Sequence, residues 1–111
     1  MPLRMTVTVA KVLRVFLEDA AEPRYGFDLM QDTGLASGTL YPILARLEGA
    51  GWIIGEHEAI DPEIEGRPAR RYYVLTAEGA KAAREELAQL SERLRPPAAV
   101  RRSPRLGENP I

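Results

Sequence analysis

The first run of apolar residues in the chain follows the spacing of one face of an α-helix. Its members lie three or four positions apart or side by side: Val9, Val12, Leu13, Phe16 and Leu17. Thr8 can cap the start of this helix by accepting a backbone N–H, and Pro23 blocks its continuation and disfavours helix just before it. The pattern therefore predicts a first helix from Thr8 to Ala20.

A shorter second helix is predicted over about Tyr25 to Asp32. Phe27 and Met30 share one of its sides because they lie one helical turn apart. Gly34 follows as a residue that adopts the left-handed conformation with which many helices end.

The third helix has two different faces. Pro42 places its start close by, because proline is tolerated in a first turn, and either Ser37 or Thr39 can be the cap. Gly51 ends it. One face is an apolar stripe of Leu40, Ile43, Leu44 and Leu47. The opposite face carries Gly38, Pro42, Ala45 and Gly49, flanked by Tyr41 and Arg46. A helix that only covered a core would more often expose Lys and Glu, so we expect this face to lie against a large partner.

Two segments, Trp52 to Glu58 and Arg70 to Thr76, are rich in β-branched and aromatic residues, which predicts the strands of a β-hairpin. The connection between them, AIDPEIEGRPA, contains two prolines and a glycine. It is too long for a tight turn, so we expect a mobile, projecting loop.

The last helix is predicted to begin after Thr76, a plausible N-cap, with Glu78 well placed at the positive helix terminus. Apolar residues then alternate at spacings of three and four, a pattern typical of a coiled coil. We call these residues the seam: Ala80, Ala83, Leu87, Leu90 and Leu94. Pro96 and Pro97 stop the helix. The seam predicts a homodimer interface, and the competing interpretation is that this helix folds back on its own domain.

Three helices followed by a hairpin predict a mostly α fold with a small β-hairpin, namely a winged helix-turn-helix with a C-terminal dimerisation helix. The expected parts are a DNA-binding domain at 1–75, the dimerisation helix at 76–95 and a flexible basic tail at 96–111. In such folds the second helix of the pair enters the DNA major groove, which is about 12 Å wide. Small residues at Gly38, Ala45 and Gly49 would permit that close approach.

Candidate DNA contacts lie on the third helix and beside the loop of the hairpin. Ser37 and Thr39 offer hydroxyl groups, and Tyr41 and Arg46 can reach phosphates or a guanine edge. The alternatives are that Thr39 only caps, that Tyr41 packs on the second helix, and that Arg46 pairs with Glu48 or another neighbour.

Three arginines of the hairpin, Arg67, Arg70 and Arg71, are candidates to clamp the flanking DNA backbone. Arg70 and Arg71 point to opposite sides of a strand, so at most one of them faces DNA directly.

Charge and composition set limits on the function. The formal net charge of the 111 residues is −1, which is not the basic footprint typical of a nucleic-acid-binding protein. The charges are clustered, however. There are five acidic residues and no Lys or Arg in the segment 56–65, whereas every charged residue in the segments 66–73 and 95–105 is an arginine. The sequence has no cysteine, no apolar run that would span a bilayer and no apolar segment of a signal peptide, which favours a cytoplasmic protein.

Two further stretches make the sequence recognisable. YGFDLMQDTGLASGTLYPILARLEGAGWI, at 25–53, and GRPARRYYVLTAEGAKAAREEL, at 66–87, closely resemble the PadR family of bacterial transcriptional regulators. The resemblance implies a homodimer with a winged N-terminal domain. It places Arg67 on the wing, which is the loop of the hairpin. It also places a further set of residues on the DNA-facing segment: Tyr25, Ser37, Gly38, Thr39, Tyr41 and Pro42.

The sequence departs from this pattern at two places. The wing carries Asp61, Glu63 and Glu65, which would repel phosphate. Some family members sense aromatic or drug-like molecules, so the resemblance also implies an aromatic small-molecule effector. In the multidrug-binding members that site uses an aromatic residue of the last helix, and 76–95 contains none.

The function expected is that of a homodimeric repressor that binds double-stranded DNA at a pseudo-palindromic operator, with no cofactor or metal. The alternative is a winged-helix protein-interaction module, which the near-neutral charge and the acidic wing would suit. An enzyme is the least favoured class, because no nucleophile–base pair or phosphate-binding glycine loop is present. The single histidine, His57, is flanked by Glu56 and Glu58, which lie on the opposite face of a strand and form no ligand set with it.

Overall fold

The computed structural model describes residues 3–98. Over this range the chain forms helices and a small antiparallel sheet, and the predicted mostly α fold class is confirmed. In chain order the elements are α1 (Val7–Glu18), β1 (Arg24–Tyr25), α2 (Gly26–Thr33), α3 (Ser37–Gly49), β2 (Ile53–His57), α4 (Pro62–Glu65), β3 (Arg71–Leu75) and α5 (Ala77–Arg93).

One hydrophobic core joins the three N-terminal helices to the sheet and to the start of α5. The apolar stripe predicted for α3 is confirmed, because each of its four side chains is at most 3% exposed: Leu40, Ile43, Leu44 and Leu47. Phe16 and Leu13 of α1 and Leu29 of α2 are also fully buried in this core. Burial of this stripe fixes α3 by one face and leaves its other face outward.

Two predicted helix starts are wrong. Thr6, not Thr8, caps α1 by accepting the N–H of Val9 at 3.1 Å, so the helix begins earlier than expected. The N-cap of α3 is Ala36, which makes no side-chain cap bond, so neither Ser37 nor Thr39 is the cap. Pro42 therefore lies in the second turn, where its missing N–H falls on the solvent-exposed side of the helix.

The hairpin of β2 and β3 is confirmed, with both strands slightly shorter than predicted. A third strand, β1, was not predicted from the sequence. It pairs with β3 through Arg24 opposite Tyr73 and Tyr25 opposite Tyr72, which makes the strand order β1-β3-β2. β2 is thus an edge strand of the sheet.

The connection between β2 and β3, which we call the wing (residues 58–70), is more regular than the loop expected. It contains the single helical turn α4, capped by Asp61, whose carboxylate accepts the N–H of Glu63 at 3.0 Å. Gly66 closes this turn with a φ of 70°. Ile64 at the wing tip is 80% exposed.

The last helix divides into an inner half and an outer half. Thr76 caps α5 as predicted, by accepting the N–H of Gly79 at 2.8 Å. Ala80 and Ala83 are buried in the core of their own protomer, where α5 contacts α1. Ala83 is 0% exposed, so the prediction that its side chain lies in the dimer interface is wrong. This inner half follows the competing interpretation of a helix folded onto its own domain.

The outer half of α5 is different. Leu87 packs partly against the core, Leu90 is half-buried, and Leu94 is 62% exposed. We call these three residues the outer seam. Most of the predicted basic tail, including Arg101, Arg102 and Arg105, lies outside the described residues.

Candidate nucleic-acid interface

The outward face of α3 is open, as the pattern predicted. Gly38, Pro42, Ala45 and Gly49 are all exposed, and so are Tyr41 and Arg46. A Cβ atom added to Gly38 or Gly49 would meet no other atom within 4 Å. Packing within the protomer therefore does not require glycine at either position. The absence of a side chain at both leaves a shallow surface on which another molecule can bind.

The start of α3 adds polar groups to this face. The side chains of Ser37 and Thr39 are exposed, and because neither caps the helix, both hydroxyl groups remain available to a ligand. The positive end of the helix dipole lies at the same place. Hydroxyl groups beside a helix N-terminus suit the oxygen atoms of a phosphate.

Tyr41 packs against α2, as one of the two interpretations expected, and is also partly exposed. Its ring packs over the backbone of Gly26 at the start of α2, where an added Cβ would lie 3.0 Å from the ring Cζ atom. The residue is nevertheless 43% exposed. The hydroxyl group of Tyr41 lies nearest to Gly26, so the missing side chain there provides the space for the outer end of the ring.

Phe27 lies on the outside of α2, although its spacing from Met30 is that of two residues on one helix face. It shares a side with Met30 in the helical projection, yet it is 63% exposed, whereas Leu29 is the fully buried residue of α2. Residues two positions apart point to nearly opposite sides of a helix, so burying Leu29 turns Phe27 outward. Phe27 and Tyr41 line a groove of about 620 Å³ together with Tyr25, Gly26, Asp28, Arg70 and Arg71. No local signal in the sequence distinguishes Phe27 from a core residue.

Arg67 is held by the wing. Its guanidinium forms an ion pair with the Glu58 carboxylate at 2.7 Å, and the same carboxylate accepts the backbone N–H of Arg70 at 2.8 Å. These two hydrogen bonds lower the pKa of Glu58 from 4.5 to about 2. Tyr25 donates a long hydrogen bond of 3.5 Å to Glu58 and packs edge-on against Tyr72. Tyr25 and Arg67 are therefore part of the support of the wing.

The other arginines separate into paired and free groups. Glu48 pairs with Arg71 at 2.9 Å, so the alternative in which Arg46 pairs with Glu48 is wrong. Among residues 3–98, neither Arg46 nor Arg70 has an ion-pair partner, and both are exposed. Within α3 and the hairpin, residues 37–75, Arg46 and Arg70 are therefore the guanidinium groups that remain free for an external anion.

Other kinds of site find no support in the part of the chain that the structure describes. Within it, no group of three or more His, Cys, Asp or Glu residues could hold a metal ion, and His57 stays outside any such cluster. None of the described helices has both the length and the apolar character needed to cross a membrane.

Comparisons with known proteins agree with this geometry. The chain is similar to a PadR-like transcription factor from Bacteroides fragilis, with 26% identity and a TM-score of 0.64 over 78% of this chain and 82% of that chain. It is also similar to a PadR family transcriptional regulator from Eggerthella lenta, with 29% identity and a TM-score of 0.60 over 78% of each chain. A structure of NadR in complex with 4-hydroxyphenylacetate shares 27% identity and a TM-score of 0.61, over 80% of this chain and 57% of that one.

No curated protein sequence matches the chain. The profile of the transcriptional regulator PadR-like family, however, matches residues 12–85, which is well over half of the 111 residues. This range includes α2, α3, the wing and the inner half of α5. The chain therefore belongs to the PadR-like family of transcriptional regulators.

Proposed function

We propose that this regulator is a homodimeric repressor that binds a pseudo-palindromic operator with α3 in the major groove. The observation that carries the proposal is the open face of α3, where an added Cβ on Gly38 or Gly49 meets nothing in the protomer. A helix with small outward residues can approach base edges closely in a groove about 12 Å wide. Bound at a promoter, such a dimer would block transcription.

The contacts proposed for α3 come from its exposed residues. Gly38 and Pro42 form the close-approach surface, while Ser37, Thr39 and Tyr41 supply hydroxyl groups. Arg46 is the free cation of this helix and would reach a phosphate or a guanine edge.

The contacts proposed beside α3 are fewer than the sequence implied. Arg70 is assigned to the flanking phosphate backbone because its guanidinium is free. Arg67 and Arg71 are already paired with Glu58 and Glu48, so we assign them to support of the wing and not to primary contact.

The outer seam supports the proposed dimer. Leu87, Leu90 and Leu94 continue the heptad spacing past the point where α5 leaves the core, and Leu94 is 62% exposed. Pairing two copies of this segment would bury the apolar row. The two α3 helices would then face major grooves about one helical turn, roughly 34 Å, apart.

A small aromatic molecule that releases the operator is the regulatory part of the proposal. Its support is the family and the similarity to NadR, which was solved with 4-hydroxyphenylacetate. α5 itself contains no aromatic residue, so such a molecule would have to rely on aromatic side chains elsewhere. Action on chromosomal DNA would place the protein in the cytoplasm.

A DNA column tests the proposal against its main rival. The acidic wing, with Asp61, Glu63 and Glu65 exposed and Ile64 80% exposed, favours a protein-interaction module as the second candidate function. At low salt a DNA-binding regulator is retained on immobilised random-sequence DNA, because phosphate contacts act on any sequence. A pure interaction module passes through. Capture of bound genomic fragments would then supply the operator.

A further inference from the structure

One carboxylate connects the end of α3 to both strands of the hairpin. Glu48, in the last turn of α3, accepts hydrogen bonds from Arg71 Nη2 on β3 at 2.9 and 3.1 Å, one to each carboxylate oxygen. It also accepts the backbone N–H of Gly55 on β2 at 3.3 Å. In addition to the shared hydrophobic core, one polar side chain thus links the helix proposed to read DNA to both strands of the hairpin.

The N–H of Gly55 is free to reach Glu48 because of the register of the sheet. Hydrogen bonds run from Thr76 to Trp52 and from Glu58 to Arg70, so the ladder bonds of β2 fall on its even-numbered residues. Gly55 is odd-numbered, and its N–H points away from β3 toward the open edge. Glu48 therefore covers a donor that an edge strand would otherwise present to solvent.

The path of Arg71 depends on the missing side chain at Gly55. A Cβ added there would lie 2.8 Å from Arg71 Cζ and 3.0 Å from Nε, so the guanidinium group would have to move from its present position. The same guanidinium lies 5.4 Å from the centre of the Tyr73 ring, a cation–π distance. The Arg71 guanidinium thus lies over Gly55, beside the Tyr73 ring and against the Glu48 carboxylate.

We infer that Glu48 and Arg71 form a clamp that fixes the angle between α3 and the hairpin, and that Arg71 is a positioning residue that does not contact DNA. The inference rests on the proposed function for its effect on DNA. Reading a groove and reaching its flanking phosphates requires α3 and the wing to be held together in one geometry. The two side chains are 36% and 39% exposed, so solvent screens the pair, and its loss should change geometry more than stability.

The variants Glu48→Gln and Arg71→Gln, and the double variant, test the clamp against direct contact. The probes are a duplex selected by the wild-type full-length chain from a randomised library, and a scrambled duplex of the same length, titrated over a range of salt concentrations. Arg70→Gln is the matched control, because it removes a neighbouring arginine that is free. Circular dichroism confirms that each variant is folded.

The clamp predicts that each single variant weakens binding to the selected duplex by up to roughly fivefold, because an exposed ion pair contributes at most about 1 kcal/mol. The slope of log K against log salt should stay unchanged, and the double variant should be no weaker than either single one, because both remove the same pair. Arg70→Gln should instead reduce the slope by about one.

Direct DNA contact by Arg71 predicts a different result. Arg71→Gln would then reduce the salt slope by about one, as Arg70→Gln does, and Glu48→Gln would leave binding unchanged or strengthen it by removing a negative charge. Either outcome overturns the clamp.

A second measurement needs no DNA and separates failure of the clamp from failure of the proposed function. The chain has no cysteine, so Ala45→Cys on α3 and His57→Cys on β2 can be spin-labelled without background, diluted with unlabelled protein. Glu48→Gln should broaden the distance distribution between the two labels. An unchanged distribution would overturn the clamp even if the wild type binds DNA.

Discussion

At the scale of single residues, the atoms that an added Cβ would meet show whether a glycine is needed for packing within the protomer. Gly79 lets the start of α5 approach the backbone of Trp52, because an added Cβ would lie 2.7 Å from the Trp52 Cα. Gly49 faces open space on the proposed contact face of α3. Only the first of these glycines is required by the fold of the protomer.

Gly79→Ala should therefore destabilise the protein. The new methyl group meets backbone atoms that cannot rotate away, and such overpacking destabilises by about 1–3 kcal/mol. The higher helix propensity of alanine offsets up to about 1 kcal/mol of this loss. Chemical denaturation measures the change. The matched control is Gly49→Ala, which adds the same methyl group to a helix at an open position and should be neutral or slightly stabilising. Equal stability of the two variants would show that the approach to Trp52 is not close.

Glu58 predicts a pH dependence of the wing. Its pKa in the folded protein is about 2, lowered from 4.5 by the hydrogen bonds from Arg67 and from the backbone of Arg70. A lowered pKa stabilises the folded form above the unfolded value, and that contribution is lost as the pH falls from about 4.5 to about 2. The amide signals of Arg67 and Arg70 in NMR spectra should shift together in this window. In Glu58→Gln the same signals should show no such transition.

At the scale of elements, periodicity predicted α1, α2, α3, α5 and the apolar stripe of α3, because burial acts through spacing within one segment, whereas the single turn α4 was expected to be a loop. The cap of α1 was missed because Thr6 and Thr8 offer equally suitable hydroxyl groups, and that of α3 because Ala36 has no side-chain acceptor that would indicate a cap. The two-residue strand β1 was missed because its pairing partner lies far along the chain. The pair of Glu48 with Arg71 is hidden for the same reason, since the residues meet only when α3 packs beside the sheet.

An added charge should have different consequences on the two sides of the outer half of α5. Leu90→Asp places a carboxylate in the outer seam and should dissociate a dimer without unfolding the protomer, because Leu90 lies beyond the buried inner half. Sedimentation measures the dissociation. Ala88→Asp adds the same charge on the opposite side of α5, at an exposed position, and should leave the dimer intact. A dimer of unchanged stability in Leu90→Asp would remove the outer seam from the interface.

At the scale of the whole molecule, a formal net charge of −1 is unusual for a chain that is proposed to bind DNA. The structure shows how the charges are distributed within residues 3–98. Arg67 and Arg71 are neutralised locally by Glu58 and Glu48. The paired and unpaired arginines could not be told apart from the sequence, because pairing depends on the folded geometry. Within residues 37–75, which include α3 and the hairpin, Arg46 and Arg70 are the arginines without an ion-pair partner, so each should matter measurably for binding.

Arg46→Ala tests this view, because Arg46 is the exposed arginine of α3 and has no ion-pair partner among the described residues. If it contacts a phosphate, binding should weaken for selected and scrambled duplexes alike, and the salt slope should fall by about one. If it contacts a guanine edge, the loss should be confined to the selected duplex and amount to about 1–3 kcal/mol. Tyr41→Phe, which removes only a hydroxyl group, should give a smaller loss. Unchanged binding in both variants would mean that α3 does not face DNA.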